Sequence, residues 1–560
     1  MRIFINLFIL ISLSGLTIFP SIGQSDMTKP MASEKAPEET VHVHLTDHVL
    51  ISGETLWLHV LVTLEGKPTP SKIVYAEILD RRGNPVKQQM IGLKEGKGDG
   101  YLEVPEQLPS DHYLLRVYTR NSPYAENPHR ISHHVLSIIN PQNPPRILAE
   151  SKTPIRNISF KEGENRFIQL EKSSWLTSET IVMNVKPEEG SVPYFNVSVT
   201  KVFPGYFENK PYAIDDIYAP IKKDKVIVPE IYGHIIKGRL LADKVDTTET
   251  FFLSAHGTQA HLFLGKPNQN GDFFFETGAF SHFDYVVVQS SKSEEQVNFL
   301  LESPFWDQRP KAGFDLPGFS LTQEAKQFIE DRLLAHATNR YFMPEKMLPP
   351  PTVPFQFIAD HSYLLDDYNR FDNMATTIRE YVPSVYVRSQ NRKTIFKNFN
   401  LPYNRLFQEN PLILVDGMPV FDSDEFSRFN PKEIERMDIV NRYLYFQENL
   451  FQGLIALTSY NNDFGKYDLP KNALFIEYQG IQPQKNTGNL FVKNQENRRF
   501  PDFRNILLWE TNRKREEDHP ILFQSSDLEG DYEIRASFWN PATENWKEES
   551  RLIKVVARNE

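Results

Sequence analysis

The segment at residues 410–420 constrains the fold of this chain most strongly, because it joins an apolar strand to an unambiguous turn. Apolar residues 411–415 lead into Asp416 and Gly417, and Pro419 follows. Asp-Gly favours a two-residue hairpin turn, since both residues tolerate the positive φ angles that such a turn requires. The segment therefore predicts a tight β-hairpin centred on Asp416 and Gly417.

A helix start and two further strands follow this hairpin. Asn430 can cap a helix, Pro431 suits its first position, and Glu433 stands where a capping box places its acid. Residues 437–440 and 454–460 are mainly apolar and predict strands. Hairpin, helix and strands in this order predict a small α+β unit.

This order resembles the latter half of the plug domain of TonB-dependent receptors, over residues 410–462. The plug pattern has a Val-Asp-Gly strand, an Asn-Pro helix and a closing strand, and residues 414–417, 430–435 and 454–458 fill these positions. The chain departs from the pattern at the glycine-rich turn, where only Gly453 remains. An unrelated α+β unit is the alternative interpretation.

A second helix, predicted at residues 366–383, leads into a strand at 384–388 and extends the plug-like region back to about residue 360. The resemblance implies an interaction module. Its candidate interaction residues are Asp416, Gly417, Pro419, Asn430, Pro431 and Gly453.

The plug-like region lacks the barrel that normally follows it. A receptor barrel of that class needs about 22 strands of roughly 9 to 11 residues each. Only residues 461–560 come after the plug-like region, and the charged stretch at 513–518 interrupts any regular apolar alternation. We therefore expect a plug-like domain without its own pore, and no transport by the chain itself.

The N-terminus is typical of a cleaved secretory signal. Arg2 precedes the apolar run 3–19, and the small residues Ser21 and Gly23 stand before Gln24. We expect a signal peptide at residues 1–23 and a flexible leader at 24–40, with an uncleaved anchor as the alternative. No other run approaches the length of a membrane span, so no integral membrane segment is expected after cleavage.

Cysteine and charge content exclude several kinds of site. The chain has no cysteine, which excludes disulfide bonds, thiolate metal sites, a catalytic cysteine and a lipid anchor on cysteine. The formal net charge of −11 gives no general attraction for nucleic acid. The signal and the plug-like region predict secretion across the inner membrane of a Gram-negative bacterium, to the periplasm or to an outer-membrane-associated position.

Strands with period-two alternation dominate the remaining sequence. The predicted fold class is mainly β and multidomain, with tandem β-sandwiches flanking the α+β plug-like domain. Residues 41–145 resemble the second macroglobulin-type domain of alpha-2-macroglobulins, through alternating strands at 41–45, 55–62, 73–79 and 112–118 separated by Gly and Pro turns. Reactive macroglobulins close a thioester on a cysteine, so the absence of cysteine argues against a protease trap.

Four further segments complete the predicted organisation. Residues 160–305 are a second β-rich region, in which 231–238, 250–254 and 270–275 resemble a carboxypeptidase regulatory-like sandwich. That resemblance implies a fold and not an activity. The later segments are a helix and Pro-rich linker at 319–358, the plug-like domain at 360–465 and a C-terminal β-sandwich at 470–560.

No catalytic, cofactor-binding or metal-ligating set is predicted. The motifs of zinc peptidases, serine hydrolases, phosphate loops and dinucleotide-binding folds are absent. His42 and His44 share a strand face, with His48, His133 and His134 as further imidazoles, but no carboxylate at suitable spacing completes a metal site. Polar positions on a sandwich strand are the preferred interpretation.

The consecutive phenylalanines at 251–252 and 273–275 must point to opposite sides of their strands. Core packing is therefore favoured over a sugar-binding face for most of them.

Two functions remain open from the sequence. The favoured one is a non-enzymatic periplasmic or outer-membrane-associated scaffold that docks on an outer-membrane protein, such as a β-barrel, through its plug-like domain. The alternative is a glycan- or peptide-binding component of an outer-membrane nutrient-uptake system.

Overall fold

The computed structural model describes residues 37–125, 130–147, 167–187, 194–204, 212, 214–220, 228–242, 244–292, 298–321, 323–342, 346–353, 356–486, 502–514, 519–540, 543 and 545–558. The predicted signal peptide and residues 24–36 of the predicted leader lie outside these ranges. In the described ranges, no helix is both long enough and apolar enough to span a membrane. The fold is mainly β and multidomain, which confirms the predicted fold class.

The first unit, called the N-terminal sandwich, packs two sheets on the predicted alternating strands. Its strands are β1 Glu39–Leu45, β2 Val49–Ile51, β3 Thr55–Leu64, β4 Lys67–Pro68, β5 Ile73–Leu79, β6 Pro85–Gly92, β7 Lys97–Glu103, β8 Asp111–Tyr118 and β9 Ser132–Ile139. One sheet has β3 between β1 and β7, and the other has the order β2-β9-β8-β5-β6. Buried side chains including Val60, Ile78, Leu115 and Ile138 fill the space between them.

The second unit, called the central sandwich, follows the short helix α1 Ile214–Ile217. Its strands are β15 Ile235–Leu240, β16 Phe251–His256, β17 Ala260–Gly265, β18 Asp272–Glu276, β19 Tyr285–Ser290, β20 Phe299–Leu301 and, from much later in the chain, β31 Leu474–Glu477. They form sheets of order β18-β15-β20 and β17-β16-β19-β31. Phe251, Phe273 and Phe275 are core residues, and Phe252 is buried on the opposite side of its strand.

The third unit, called the composite sandwich, combines two distant stretches of chain. Its strands are β11 Ile168–Leu170, β12 Ser174–Leu176, β13 Thr180–Val185, β14 Tyr194–Lys201, β33 Ile506–Lys514, β34 Ile521–Gln524, β35 Gly530–Asn540 and β36 Asn545–Val556. They form sheets of order β11-β13-β34 and β12-β36-β35-β14-β33. These stretches were predicted to belong to separate domains, because alternation predicts a strand but not its partner.

The segment between β20 and the α+β unit contains the helix predicted within residues 319–358, observed as α2 Gln323–Phe342. Short strand pairs flank it: β10 Arg146–Ile147 with β21 Ser320–Leu321, and β22 Lys346–Met347 with β32 Lys485–Asn486. The helix is fastened to the N-terminal sandwich through Arg332, whose buried guanidinium donates to Glu54 at 2.9 Å and Asp47 at 2.7 Å.

The fourth unit is the α+β unit, which contains the hairpin predicted at Asp416 and Gly417. Its elements are β23 His361–Leu364, α3 Met374–Tyr381, β24 Val385–Gln390, β25 Lys393–Asn400, β26 Arg405–Leu406, β27 Leu412–Val415, β28 Met418–Pro419, α4 Ser423–Arg428, β29 Ile434–Phe446 and β30 Asn449–Ser459. The main sheet has the order β23-β29-β30-β27-β28, and β24-β25-β26 form a smaller one.

Two predicted helices of this unit are shorter in the structure. The helix predicted at 366–383 is confined to α3, which Asn373 caps by accepting from the Thr376 N–H. The helix predicted at Asn430 is a single 3-10 turn, Pro431–Glu433. From Ile434 onward the buried residues Ile434, Met437 and Ile439 belong to β29, so a strand is present where the helix was predicted to continue.

The main sheet of the α+β unit is covered on both faces. Side chains of α3, α4 and β25, including Ile378, Phe396 and Phe426, pack with one face. The other face packs on Phe252, Leu262 and Leu264 of the central sandwich. The free edge of β17 is also closed: the Gln356 amide pairs with the N–H and C=O of Leu262, and the Gln447 side chain accepts from the Leu264 N–H at 2.6 Å.

Candidate interaction surface

Asp416 forms the predicted hairpin but is not on the surface. Asp416 and Gly417 have φ angles of 47° and 76°, as a two-residue hairpin turn requires. The Asp416 carboxylate accepts from the Ser459 N–H at 2.7 Å, the Ser459 hydroxyl at 2.5 Å and the Phe464 N–H at 2.9 Å. Burial raises the pKa of Asp416, and these hydrogen bonds oppose that rise. Asp416 therefore ties the hairpin to the end of β30.

Gly417 and Pro419 lie against the rest of the protein. A Cβ atom on Gly417 would sit 3.5 Å from the Cβ of Ala260 and 3.5 Å from the backbone nitrogen of His261. Pro419 is buried in β28, where it pairs with Leu414. The hairpin is thus packed on the central sandwich and is not presented to solvent.

Asn430 and Pro431 begin the short 3-10 turn. Asn430 is exposed and its side chain accepts from the Lys432 N–H at 3.2 Å, whereas Pro431 is buried. Glu433 binds the Lys466 ammonium at 2.6 Å and does not complete the predicted capping box. The turn is also braced by Arg370, which donates to the Pro431 carbonyl at 2.7 Å.

Gly453 lies at an irregularity of the β29–β30 ladder, with a φ of 93°. A Cβ atom there would come within 2.6 Å of Asn398 Nδ2 and 2.9 Å of the Val440 oxygen. The buried Asn398 amide donates to the carbonyls of Val440 and Leu454 at 2.9 and 3.3 Å. Glycine is required here because the Asn398 amide takes the space of a side chain.

The six candidate residues therefore do not form one exposed surface. Asp416, Pro419, Pro431 and Gly453 are buried, Gly417 is half-buried, and only Asn430 is exposed. The contacts of the buried members stabilise the α+β unit.

An exposed aromatic surface occurs instead at the far end of the β29–β30 hairpin. Tyr443 and Tyr445 point to one side of β29, and Leu450 lies directly opposite Tyr445 on β30. Tyr445 is 71% exposed and Leu450 is 60% exposed. Large apolar side chains at such exposure indicate an interaction surface when they form a contiguous patch.

A neighbouring loop enlarges this surface. Tyr403, which is 64% exposed, lies with its ring 6.3 Å from that of Tyr443, and Leu401 precedes it at 46% exposure. The Arg405 guanidinium lies 5.5 Å from the Tyr403 ring. The surface formed by Leu401, Tyr403, Tyr443, Tyr445 and Leu450 is called the aromatic face below.

The aromatic face rests on a well-supported hairpin. On the opposite side of β29, Phe446 packs edge-on against Phe357, with ring centres 5.1 Å apart. Gln452 on β30 accepts from the N–H groups of Gln408 and Glu409 at 2.9 and 3.0 Å, and so fixes the loop beside Tyr403. Residues 443–446 are aromatic or apolar on both strand faces, which is the sequence signal for this surface.

The histidines of the N-terminal sandwich pack against tryptophans of the composite sandwich. His42 stacks on Trp546 at 5.2 Å, and His44 stacks on Trp509 at 5.2 Å. Burial lowers the pKa of His42 to about 4. The rings of His48 and His134 are 5.7 Å apart. Across the residues the structure describes, no group of three or more His, Asp or Glu side chains could hold a metal ion.

A buried acid–base cluster joins the N-terminal and central sandwiches. Glu230 accepts from the Tyr75 hydroxyl at 2.7 Å and pairs with Arg120 at 3.0 Å, and His234 bridges Glu230 at 2.8 Å to the Tyr478 hydroxyl at 2.7 Å. Burial lowers the pKa of His234, although Glu230 opposes the shift. Since Tyr75, His234 and Tyr478 are buried, the cluster is suited to holding elements together.

Comparison with known proteins gives structural neighbours only. No protein-family model matches this chain, and no curated protein matches it. Escherichia coli alpha-2-macroglobulin activated by porcine elastase matches with a TM-score of 0.23 and 9% identity, over 93% of this chain and 44% of that chain. Salmonella alpha-2-macroglobulin reacted with methylamine matches with a TM-score of 0.22 and 8% identity, over 94% of this chain and 40% of that chain.

A third neighbour is the CARDB domain of a Pyrococcus furiosus protein in complex with di-metal ions, with a TM-score of 0.15 and 17% identity, over 19% of this chain and 98% of that domain. This chain spans less than half the length of the two macroglobulins. At TM-scores of 0.23 and below, these similarities support neither a family assignment nor a function for the chain.

Proposed function

We propose that this chain is a non-enzymatic scaffold, located in the periplasm or at the outer membrane, that docks on an outer-membrane protein such as a β-barrel through its plug-like α+β unit. The observation that carries the proposal is the aromatic face. It combines three tyrosines and two leucines on one supported hairpin and its adjoining loop, and tyrosine is enriched in protein interfaces. The other apolar surfaces of the main sheet are already covered within the chain.

Buried contacts between the units support a scaffold role. Arg332 fastens α2 to the N-terminal sandwich, and the Glu230 cluster joins that sandwich to the central one. The α+β unit shares an apolar core with the central sandwich through Leu262 and Leu264. Contacts of this kind fix the distance between the aromatic face and the N-terminal sandwich, as a spacer requires.

A glycan- or peptide-binding role is the second candidate, favoured by a cleft between the N-terminal and central sandwiches. Its volume is about 390 Å³, and Tyr118, Phe274, Phe305 and Trp306 contribute to its walls. Lys237 and Glu302, paired at 2.8 Å, lie at the same cleft. Aromatic walls with a few charged groups are typical of small-ligand sites.

Affinity purification from outer membranes tests the first proposal. We expect the wild-type chain to recover an outer-membrane protein, and the double variant Tyr445→Ser and Leu450→Ser to lose it. The matched control replaces Tyr232 and Leu522 by serine, because these residues are 49% and 62% exposed but lie on other units. Equal recovery by both double variants would remove the aromatic face as the docking surface.

The cleft gives the second candidate its own test. If the chain binds glycan or peptide there, an oligosaccharide or peptide library should raise its melting temperature, and Phe274→Ala should abolish the shift. A shift that survives Phe274→Ala places the ligand elsewhere.

A further inference from the structure

A stretch of the α+β unit has a charge opposite to that of the whole chain. From Tyr381 to Gln408 the sequence contains no Asp or Glu, whereas it contains Arg388, Arg392, Lys393, Lys397 and Arg405. The chain as a whole has a formal net charge of −11. In the part of the chain that the structure describes, none of these five cations forms an ion pair with a carboxylate. The nearest offsetting acids are Asp424, which interacts with Lys393, and Glu409, which interacts with Lys397.

Three of these cations share one face of the β24–β25 hairpin: Arg388 and Lys393 are exposed, and Lys397 is half-buried with its ammonium donating to the Gln408 carbonyl. Arg388 on β24 points to the same side as Lys393 and Lys397 on β25, because Arg388 lies opposite Ile395 and Tyr386 lies opposite Lys397. The Arg388 guanidinium lies 5.8 Å from the Tyr386 ring, which is 42% exposed. The other side of the hairpin is buried through Val385 and Phe396.

The same hairpin leaves one edge of β24 open. The sheet order is β24-β25-β26, so β24 has a neighbour on one side only. The turn residues Asn391 and Arg392 have φ angles of 51° and 64°, and in a two-residue hairpin the closing pair, here Gln390 and Lys393, is hydrogen-bonded. Val387 and Ser389 therefore direct their N–H and C=O groups away from β25.

The hydrogen bonds of β25 confirm which backbone groups point away from the β24–β25 pair. Thr394, which lies opposite Ser389, donates its N–H to Asp424 at 2.5 Å and accepts from the Ser423 hydroxyl at 2.6 Å. Its backbone groups thus point away from β24 toward α4. At this level the sheet is closed on the α4 side and open at Ser389, for whose backbone the described residues provide no partner.

We propose that the partner adds an extended acidic segment to the open edge of β24, with carboxylates at alternate positions facing Arg388, Lys393 and Lys397. An added strand would pair with the backbone of Val387 and Ser389, and alternate side chains would lie on the cationic face. Charge complementarity then selects the segment. This inference rests on the proposed function and names the chemistry of the partner, since β25 of the cationic hairpin leads directly into the loop that carries Leu401 and Tyr403 of the aromatic face.

The test uses the full chain and a fluorescent peptide of roughly ten residues that alternates valine and glutamate. We expect binding that weakens as salt is raised, and binding about tenfold weaker for the same peptide with glutamine in place of glutamate. Ser389→Pro removes an outward N–H and is compatible with an edge strand, so it should weaken peptide binding about tenfold. Arg388→Glu should weaken it about fivefold, whereas the control Lys432→Glu, on the exposed 3-10 turn, should not.

Two readouts keep the result decisive. The melting temperature shows whether Ser389→Pro folds, and a peptide N-methylated at its valines should fail to bind wild-type protein without any change to the chain. Equal binding of the glutamate and glutamine peptides would overturn the proposal. Binding to phosphatidylglycerol vesicles that depends on Arg388 but not on Ser389 would also overturn it, in favour of an anionic membrane surface.

The outcomes also separate this inference from the proposed function. If Ser389→Pro loses the peptide but retains the outer-membrane partner, the partner docks without strand addition and only this inference fails. If the peptide binds as expected but no outer-membrane partner is recovered, the proposed function fails and the acidic-strand site stands.

Discussion

The two hairpins of the main sheet are built alike and are placed in opposite surroundings. Both have two-residue turns with positive φ angles, Asp416-Gly417 in one and Gln447-Glu448 in the other. The first is packed on Ala260 and fixed by hydrogen bonds to Ser459 and Phe464, whereas the second ends in the exposed Tyr445 and Leu450. The hairpin with the stronger sequence motif thus stabilises the unit, and the one with the weaker motif presents a surface.

The largest effect on stability is expected from Asp416→Ala. It leaves the buried N–H groups of Ser459 and Phe464 without their acceptor, which should lower the free energy of unfolding by about 3 kcal/mol. Asp422→Ala is the matched control, because this exposed carboxylate also accepts from two N–H groups, as the cap of α4, and should cost only about 1 kcal/mol. Urea unfolding measures both. Equal losses would show that burial of the first hairpin does not matter.

The cost of Asp416→Ala should also depend on pH. Burial raises the pKa of Asp416 above its usual value of 3.8, so the Asp416 carboxyl binds a proton more strongly in the native state than in the unfolded chain. The contribution of Asp416 to stability is therefore greatest below pH 3.8 and falls as pH rises through the native pKa. The difference between wild type and Asp416→Ala should shrink over that range. A difference that grows with pH would show that the hydrogen bonds outweigh burial.

Gly453→Ala tests the base of the exposed hairpin. A methyl group at this positive φ would collide with Asn398 Nδ2 and the Val440 oxygen, which should cost about 2 kcal/mol. The control Gly318→Ala places its methyl group in open space. Thermal unfolding of the two variants should differ clearly. Similar melting temperatures would mean that Asn398 moves aside without cost.

Gln447→Ala, at the turn of the exposed hairpin, should have a smaller effect. It removes the acceptor of the Leu264 N–H on the β17 edge, at a cost of about 1 kcal/mol. Hydrogen exchange should reveal faster exchange of the Leu264 amide in this variant and no change in the control Gln408→Ala. Unchanged exchange would indicate that the hairpin does not protect that edge.

The smallest effect on stability is expected at the aromatic face. Tyr445→Ser and Leu450→Ser should each change the free energy of unfolding by less than about 0.5 kcal/mol, because both side chains are mostly solvated. Chemical denaturation checks this. A loss as large as that of Asp416→Ala would show that these side chains are part of a core, and would make them unsuitable for docking.

The sequence was sufficient for the elements that depend on local rules. Alternation located the strands of the N-terminal sandwich, Asp416-Gly417 located a hairpin, and the helix predicted within residues 319–358 is present as α2. It was insufficient where a distant partner decides. Nothing near Asn430 shows that the following residues will pair with β30, and nothing in residues 168–201 shows that their partners are at 506–556.

The aromatic face could not be predicted for the same reason. Asp416 and Gly453 were selected for their motif, but their surroundings are set by Ala260, Ser459 and Asn398, which are remote in sequence. Tyr445 and Leu450 carry no motif, and only the pairing register places them together on an uncovered face.

The composite sandwich has a consequence for the order in which the chain can fold. Strand β14 lies between β33 and β35, so residues 194–201 can complete their sheet only after residue 540 has been synthesised. Until then the N-terminal part of that unit exposes apolar, unpaired strands, a state that is slow to resolve and prone to aggregation. The two sandwiches and the α+β unit encoded before β33 can form earlier, so the composite sandwich closes late and only once residues 506–540 have been made.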